Sequence, residues 1–283
     1  MQTFETVAEL RAQVQQWKQQ QLTVGFVPTM GNLHAGHLSL IKLAHRHCDK
    51  VVASVFVNPL QFGPNEDFDA YPRTFESDQQ KLRAEQTDAV FYPSVLEMYP
   101  NGQQQTLVQV PHAVTALLEG LSRPGHFDGV ATVVNKLFNM VQPDVAVFGQ
   151  KDYQQFAVIS KMVTDLAIPI QLIRAPIGRD LDGLALSSRN QYLTSSQKRL
   201  APKLHSVLLD IEMVLRSGNR DFISITQAAT DNLLQLGFDS VDYIQVVNPH
   251  SLLKALPTDR EFVILAVANL GKTRLLDNVL LSI

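Results

Sequence analysis

Apolar and polar residues alternate in two different ways along the N-terminal part of the chain. Short runs of mostly β-branched and aromatic residues, each ending near a Pro, Gly or Asn, predict strands that are buried on both faces. These runs lie at residues 22–27, 51–57, 88–92, 145–148 and 169–173. Helical spacing of apolar residues predicts helices at residues 7–20, 36–48, 75–86, 129–141 and 153–167. Strands that alternate with helices in this way predict a doubly wound parallel sheet.

The pattern changes after about residue 179, where helices come first and strands follow. Residues 195–216 and 221–236 have helical spacing, whereas residues 241–246, 262–267 and 273–281 form β-rich runs. Helices grouped before strands predict a smaller α+β domain. Because 283 residues exceed the usual size of a single core, we expect two domains, residues 1–178 and residues 179–283.

Composition and charge argue against several classes of protein. The net charge of -3, the pI of about 6.2 and the lack of a basic run argue against non-specific nucleic-acid binding. No apolar run reaches the ~18 residues that span a bilayer. Residues 1–5 lack the basic start and apolar core of a signal peptide. The single Cys48 cannot form an internal disulfide, so we expect a cytoplasmic protein without nucleic-acid or membrane partners.

Two histidines follow the first predicted strand in a glycine-containing loop. Residues 27–38 connect this strand to a helix and include His34 and His37, with Gly31 and Gly36 in the same segment. Unpaired N–H groups at a helix N-terminus attract anions, and glycines let the backbone approach a ligand closely. The segment therefore predicts a site for a nucleotide phosphate, although a plain glycine-containing turn would have the same local pattern.

A P-loop is excluded by the residues that follow the second glycine. Gly31 and Gly36 have the P-loop spacing, but that motif continues with Lys and then Ser or Thr. Here His37 and Leu38 stand in those places.

A metal site is the other alternative for this segment. It would combine His34, His37, His45, His47 and Cys48. A structural zinc site normally has paired Cys or Cys/His ligands in two separated halves, and this chain has one Cys only. The metal interpretation is therefore the weaker one.

Four further polar clusters follow strands or border the predicted sheet. They lie at residues 58–63, 122–129, 149–152 and 182–190. Lys151 is suited to neutralising phosphate, Asp152 to capping a helix or receiving a metal-bound water, and Gln155 to facing the site one turn later. Arg189 follows two serines, and its fixed N–H donors suit phosphate oxygens. Ligands of doubly wound sheets bind beyond the carboxyl ends of the strands, where these clusters fall.

Two of these segments resemble paired motifs of a known superfamily. Residues 30–37 resemble the H-x-G-H signature of the nucleotidyltransferases, which they share with class I aminoacyl-tRNA synthetases, and residues 186–189 resemble the K-M-S-K-S counterpart. Within that superfamily, nearly the whole chain resembles the pantoate–β-alanine ligase (pantothenate synthetase) family. The matching runs lie at residues 28–31, 56–62, 71–74, 122–127, 148–155 and 271–278.

The resemblance implies a Rossmann-like domain that binds ATP and pantoate, followed by a smaller α+β lid domain. It implies ATP-dependent condensation of (R)-pantoate with β-alanine through a pantoyl adenylate, with release of pyrophosphate and AMP, a reaction of coenzyme A biosynthesis. It also implies Mg²⁺, whose protein ligands are left open, and a homodimer formed through the N-terminal domain.

The resemblance also assigns roles to individual residues. Those implied in catalysis are His37, His34 and Lys151. Those implied in ATP binding are Met30, Gly31, His34, His37, Gly149, Lys151, Asp152, Gly178, Leu186, Ser187, Ser188 and Arg189. Those implied in substrate binding are Gln61, Gln155, Asn58, Tyr71 and Arg123. Two departures from the family pattern are Gln150, where an acidic residue is common, and Leu186, where Met is frequent.

Two other functions remain open at this point. A nucleotidyltransferase that adenylates a phosphate acceptor would share the histidine motif, and so would a nucleotide-binding module without activity. Gln61 and Gln155 favour a hydroxy-acid with a carboxylate as the acceptor.

Overall fold

The chain folds into two units in the computed structural model, which describes residues 1–64, 66–102 and 104–283. The first unit contains Met1–Gly149 and Gln154–Ala175. The second contains Gln150–Tyr153 and Pro176–Ile283. Within the described ranges, no helix is both long and apolar enough to cross a membrane.

A six-stranded sheet, parallel in every pair, forms the first unit. Its strands are β1 (Gln2–Phe4), β2 (Val24–Thr29), β3 (Lys50–Val55), β4 (Ala89–Phe91), β5 (Val145–Gly149) and β6 (Gln171–Ala175). The strand order is β1-β4-β3-β2-β5-β6, so the order reverses between β2 and β5. The predicted doubly wound sheet is thereby confirmed. In sheets of this kind ligands bind where the strand order reverses, which here is beyond the carboxyl ends of β2 and β5.

Helices cover both faces of this sheet. The longer helices are α1 (Val7–Gln19), α2 (Ala35–His45), α3 (Phe75–Ala84), α7 (His126–Val141) and α8 (Tyr153–Asp165). The described residues between β4 and α7 form the short helices α4 (Val95–Met98), α5 (His112–Thr115) and α6 (Leu118–Ser122). Successive strand residues enter opposite cores: Phe26 packs with α1, α7 and α8, whereas Val27 packs with α2 and α3. This explains why the strands read as continuous apolar runs.

The second unit is a three-stranded antiparallel sheet with helices, as the predicted α+β pattern requires. Its elements are α9 (Ser195–Leu200), α10 (Lys203–Arg216), α11 (Phe222–Leu236), β7 (Ser240–Val247), β8 (Glu261–Leu270) and β9 (Thr273–Ser282). The strand order is β7-β8-β9. Leu204 and Leu208 of α10 pack in one core with Leu233 of α11 and with Phe262 and Ile264 of β8.

Several predicted elements need correction. The single helix predicted over residues 195–216 is wrong: Pro202 lacks an N–H and its ring blocks helix continuation, so α9 ends at Leu200 and α10 starts at Lys203. Helix α7 starts at His126 rather than at residue 129, after Gly125 in the left-handed conformation. The short elements β1, α4, α5 and α6 were not predicted, because three to five residues are too few to establish a period.

The last strand of the parallel sheet is also less buried than its sequence suggests. We predicted residues 169–173 to be buried on both faces, but β6 spans Gln171–Ala175, pairs only with β5 and is half exposed over most of its length. An edge strand has one neighbour, so a mixed polar and apolar sequence is tolerated there.

Candidate active site

The loop after β2 turns sharply before α2 begins. Gly31 has a φ of +86° and Asn32 a φ of 49°, so the chain passes through the left-handed region twice. A Cβ added to Gly31 would lie 3.1 Å from Asp78 Oδ2 and 3.1 Å from Val55 Cγ1. Both the backbone conformation and the close packing therefore favour glycine at this position.

His34 and His37 together cap the N-terminus of α2. His34 is the N-cap residue, and its Nδ1 accepts a hydrogen bond from the Gly36 N–H at 3.2 Å. Nδ1 of His37 in turn accepts from the His34 N–H at 3.3 Å, and the two ring centroids are 4.0 Å apart. An imidazole that accepts at Nδ1 carries its proton on Nε2 when neutral. The cap thus fixes both histidines as Nε2–H donors at a helix N-terminus, where anions are favoured.

Asp78 holds this loop in place, and it was not among the predicted site residues. Its carboxylate is fully buried and accepts from the N–H groups of Asn32 (2.9 Å) and Leu33 (2.8 Å) and from the hydroxyl of Thr74 (3.0 Å). Lys81 Nζ lies 3.9 Å from the same carboxylate and donates to the Leu33 carbonyl at 2.7 Å. The sequence contained a signal for the burial of Asp78, because this residue lies one helical turn before Leu82, on the apolar face of α3.

Gln61 and Asn58 form a buried polar cluster after β3. The Asn58 amide donates to Gln61 Oε1 (3.1 Å) and to the Gly129 carbonyl (3.1 Å), and the Tyr99 hydroxyl donates to Asn58 Oδ1 (2.7 Å). Gln61 Nε2 contacts the sulfur of Met30 at 3.1 Å, which joins this cluster to the loop after β2. Asn58 therefore orients Gln61; its own contact with a substrate stays a prediction.

Gly129 allows α7 to pack directly on this cluster. A Cβ at Gly129 would lie only 2.2 Å from the Leu60 carbonyl oxygen and 2.8 Å from Gln61 Cα. Real Cβ atoms do not approach backbone this closely, so any side chain at residue 129 would displace the turn that contains Gln61. Sequence reasoning placed this glycine where a connecting loop leads into a helix and gave it no role in packing.

The predicted substrate residue Arg123 is paired with a carboxylate. Its guanidinium forms a bidentate ion pair with Glu66 and donates to His126 Nε2 at 3.0 Å. His126 Nδ1 lies 2.8 Å from the Gln61 carbonyl oxygen, so Nδ1 is the protonated nitrogen and Nε2 the acceptor. Burial and the neighbouring Arg123 charge lower the pKa of His126 from 6.5 to about 4. A neutral His126 thus links Arg123 to the Gln61 backbone.

His126 makes the stability of the first unit depend on pH. Because its folded-state pKa is about 4 and its unfolded value 6.5, the unfolded chain binds a proton between these pH values that the folded chain excludes. We expect the free energy of unfolding to fall by up to about 1.4 kcal/mol per pH unit as the pH drops through this window.

Urea unfolding at several pH values measures this slope, with H126N as the comparison. Asn can still donate to the Gln61 carbonyl but does not titrate, so the variant should lack this part of the slope. Equal slopes in both proteins between pH 6.5 and pH 4 would contradict the assignment.

The remaining predicted residues of the first unit occupy different environments. Tyr71 is buried and packs edge-on against the Phe62 ring, with centroids 5.8 Å apart. Gly149 ends β5, beside β2 at the reversal of the strand order. Gln155 is half-buried on α8, and no hydrogen bond of its side chain is found within the described ranges. The neighbouring Gln154 instead bonds to the backbone of residues 114, 117 and 119.

In the second unit, the segment around Lys151 is held by β9. Lys151 Nζ lies 3.2 Å from Asp152 Oδ1, in a partly exposed ion pair. The buried Asn278 amide donates to the carbonyls of Gln150 and Lys151, at 3.0 Å each. Its oxygen accepts from Gln150 Nε2 at 3.1 Å. Sequence reasoning matched residues 271–278 to the family but gave Asn278 no role.

Residues 186–189, the second segment predicted to bind phosphate, follow a short hairpin in the second unit. The Leu186 N–H donates to the Gly178 carbonyl at 2.8 Å. Ser187 Oγ caps a 3₁₀ turn, Ser188–Tyr192, and accepts from the Arg189 N–H at 3.3 Å. Ser188 and Arg189 lie in this turn and are half-buried. The two serines and Arg189 thus lie on one tight turn.

Arg179 and Asp277 fix that hairpin. The guanidinium of Arg179 forms a bidentate ion pair with the buried Asp277 carboxylate, at 2.6 and 2.8 Å, and donates to the Gly183 carbonyl at 3.1 Å. Asp277 precedes Asn278 on β9, so adjacent residues of one strand hold both segments.

Within the described part of the chain, no three or more His, Cys, Asp or Glu side chains form a group able to hold a metal ion. The alternative metal site of the sequence analysis is not formed: His34, His37, His45, His47 and Cys48 all lie in the described ranges, and no three of them come together as a group able to hold an ion. Mg²⁺ with a nucleotide needs only one or two carboxylates in addition to the phosphates, so the chain is compatible with it.

A parallel sheet whose strand order reverses, with a helix N-terminus after its central strand, is typical of α/β proteins that bind nucleotide phosphates. The model for the family described as pantoate-beta-alanine ligase matches residues 2–280. A pantothenate synthetase from Hydrogenovibrio crunogenus is 61% identical over 283 residues, which is all of both chains. The chain belongs to the pantoate–β-alanine ligase family.

Solved structures agree with this assignment. A pantothenate synthetase from Thermus thermophilus superposes with a TM-score of 0.92 at 46% identity, covering 99% of each chain. A pantoate-beta-alanine ligase from Francisella tularensis, complexed with beta-gamma ATP and beta-alanine, has a TM-score of 0.82 at 36% identity and covers 99% of this chain and 97% of its own. The predicted family, fold class and ligase activity are therefore confirmed.

Proposed function

We propose that the chain condenses pantoate with β-alanine in two steps, through a pantoyl adenylate formed from ATP. The observation that favours this is the paired cap of α2, which fixes His34 and His37 as Nε2–H donors beside the reversal of the strand order. Family membership and the ATP and β-alanine of the Francisella ligase support the same reaction.

The first step joins two anions, so its main obstacle is electrostatic. A pantoate carboxylate is already a nucleophile, and its oxygen attacks the α-phosphorus of ATP while the bond to pyrophosphate breaks. Donors aimed at the phosphate oxygens lower this barrier. For this role we propose His34, His37, Lys151, Ser187, Ser188 and Arg189, with Met30, Gly31, Gly149, Asp152, Gly178 and Leu186 as further ATP contacts.

The acceptor is selected by amide side chains. We assign pantoate to Gln61 and Gln155, because neutral amides can donate to a carboxylate and accept from hydroxyl groups without adding charge. Asn58, Tyr71 and Arg123 support this subsite.

In the second step, the neutral amine of β-alanine attacks the acyl carbon, the bond between that carbon and the AMP oxygen breaks with its electrons going to AMP, and the nitrogen releases one proton to water. Gln61 also lies beside β-alanine in this proposal. Alignment of the amine and exclusion of water are sufficient roles for the protein, since AMP is a good leaving group.

Mg²⁺ would enter with the nucleotide and neutralise charge on its phosphates. Asp152 is the carboxylate of the ATP-binding segments and is the residue we propose to receive the ion or its bound water. Three further expectations are kept as proposals: a cytoplasmic enzyme, a homodimer through the N-terminal domain, and a smaller second domain that acts as a lid.

The test of the proposed reaction is AMP release from ATP, with pantoate and β-alanine omitted in turn. The proposal expects pantoate-dependent exchange of pyrophosphate into ATP without β-alanine, and steady AMP release only with both substrates. Exchange that requires a phosphate acceptor instead would indicate a different nucleotidyltransferase. Binding of ATP without exchange would indicate a module that lacks activity.

Gln155 should discriminate between the two substrates of the first step. We expect Q155A to weaken pantoate binding far more than ATP binding, because pantoate is the ligand assigned to this side chain. The fold should be unaffected, since the side chain makes no hydrogen bond within the described ranges. Q155E should be worse for pantoate, because it places a like charge beside the carboxylate. Titrations of both ligands and urea unfolding measure these effects. Equal losses for pantoate and ATP would show that the residue has only a structural role.

A further inference from the structure

Strand β9 contains a buried asparagine whose amide group forms hydrogen bonds with Gln150 and Lys151. Asn278 is 1% exposed. Both hydrogens of its amide face backbone carbonyls, those of Gln150 and Lys151, and its oxygen accepts from Gln150 Nε2. The orientation of the amide is therefore fixed, since only the nitrogen can donate to the two carbonyls.

The backbone of Asn278 is held by the neighbouring residue. The Asn278 N–H donates to Asp277 Oδ1 at 2.7 Å, and the same carboxylate is bonded to Arg179. Asn278 thus projects from a rigid, antiparallel strand that pairs along its length with β8. A rigid strand is a better support for a reacting group than the turn in which Lys151 lies.

We propose that Asn278 is a positioning residue that sets the location of the Lys151 ammonium group for adenylate formation. This proposal rests on the proposed contact of Lys151 with ATP. The Lys151 carbonyl is bonded directly to Asn278, so loss of the amide frees the backbone from which the lysine side chain extends. Small misplacements of a charged group lower catalytic rates strongly, on the order of 10²-fold for about 1 Å.

Neither Asp nor Ser reproduces this contact. Asp has the same shape but offers two acceptors to two carbonyls, and Ser offers a single donor. Ala removes all three hydrogen bonds without adding repulsion. Among these substitutions, N278A is therefore the cleanest variant and N278S the milder one.

The test is a double-mutant cycle between Asn278 and Lys151. Pantoate-dependent ATP–pyrophosphate exchange and the dissociation constant of ATP are measured for the wild type, N278A, K151A and the double variant. We expect N278A to lower exchange on the order of 10²-fold in the wild-type background and to have no further effect on either quantity when Lys151 is absent. The affinity for pantoate should be unchanged throughout.

V279A is the matched control for a general loss of stability. Val279 is the next residue of β9, is 9% exposed and packs in the core of the second unit. V279A should reduce the free energy of unfolding but leave exchange near the wild-type rate. N278S keeps one donor and should recover part of the activity; it also replaces N278A if that variant does not fold.

Two results would overturn the positioning role. One is a normal exchange rate in folded N278A and N278S. The other is an exchange rate that N278A lowers by the same factor with and without Lys151, which would mean that Asn278 does not act through Lys151. If K151A itself exchanged at the normal rate, the proposed role of Lys151 would be wrong and this inference would fail with it. The K151A variant alone therefore distinguishes a failure of the Lys151 assignment from a failure of the Asn278 inference.

Discussion

K151A and H37A are expected to lower pantoate-dependent ATP–pyrophosphate exchange on the order of 10²–10³-fold, as loss of one well-aimed donor does. The physical reason is the same for both. Each side chain would donate to phosphate oxygens whose charge grows in the transition state, and water cannot replace a donor held in a fixed position. Exchange assays at saturating ATP separate this effect from weaker ATP binding.

The two variants should differ in stability. Lys151 forms a partly exposed ion pair with Asp152, and such pairs contribute about 0–1 kcal/mol, so K151A should unfold at nearly the wild-type urea concentration. His37 also accepts from the His34 N–H. His37 thus supports the fold in addition to its proposed ligand contact, and H37A should lose about 1 kcal/mol because the reciprocal bond of the capping box is removed.

H37Q separates the two roles of His37. A glutamine three residues after the N-cap can still accept from the N-cap N–H, as in an ordinary capping box. H37Q should therefore be more stable than H37A, while its exchange stays low because the imidazole donor is lost. Near-normal exchange in folded K151A or H37Q would contradict the role assigned to that residue.

The sequence predicted the sheet well because its strands are buried on both faces. Residues 51–57 read as a continuous apolar run because β3 lies in the interior of the sheet and contacts helices on both sides. β1 is an edge strand of three residues, and a run this short has no readable period. The loop with His34 and His37 was also found from sequence, since helix starts and glycines have local signatures.

The supporting residues of the site could not be found by local patterns. Asp78 lies 45 residues from Leu33, and Asn278 lies 127 residues from Lys151. Each contact exists only because the fold brings distant segments together, and each residue looks ordinary within its own element. Gly129 is similar, since its need for a bare backbone appears only against Leu60. Sequence patterns thus identified the groups proposed to meet the ligand better than the groups that hold them.

Asp78 should be the most sensitive of these supporting residues. Its carboxylate is the acceptor for the N–H groups of Asn32 and Leu33, in a loop that passes through the left-handed region at Gly31. D78A would remove this acceptor from both donors, of which the Leu33 N–H is buried and the Asn32 N–H partly buried. An unsatisfied buried donor costs about 1–3 kcal/mol, so we expect the free energy of unfolding to fall by about 3 kcal/mol in urea titrations.

The loss of the Asp78 carboxylate should also weaken ATP binding. The loop leads directly into His34, so its loosening is expected to lower ATP affinity and pantoate-dependent exchange together, by on the order of 10²-fold if the histidines move by about 1 Å. D78N should be intermediate, because an amide keeps one accepting oxygen and turns a donor toward the other N–H. E76A is the matched control, since Glu76 is exposed on the same helix. An E76A effect as large as that of D78A would mean that general damage to α3, rather than support of the loop, accounts for the loss.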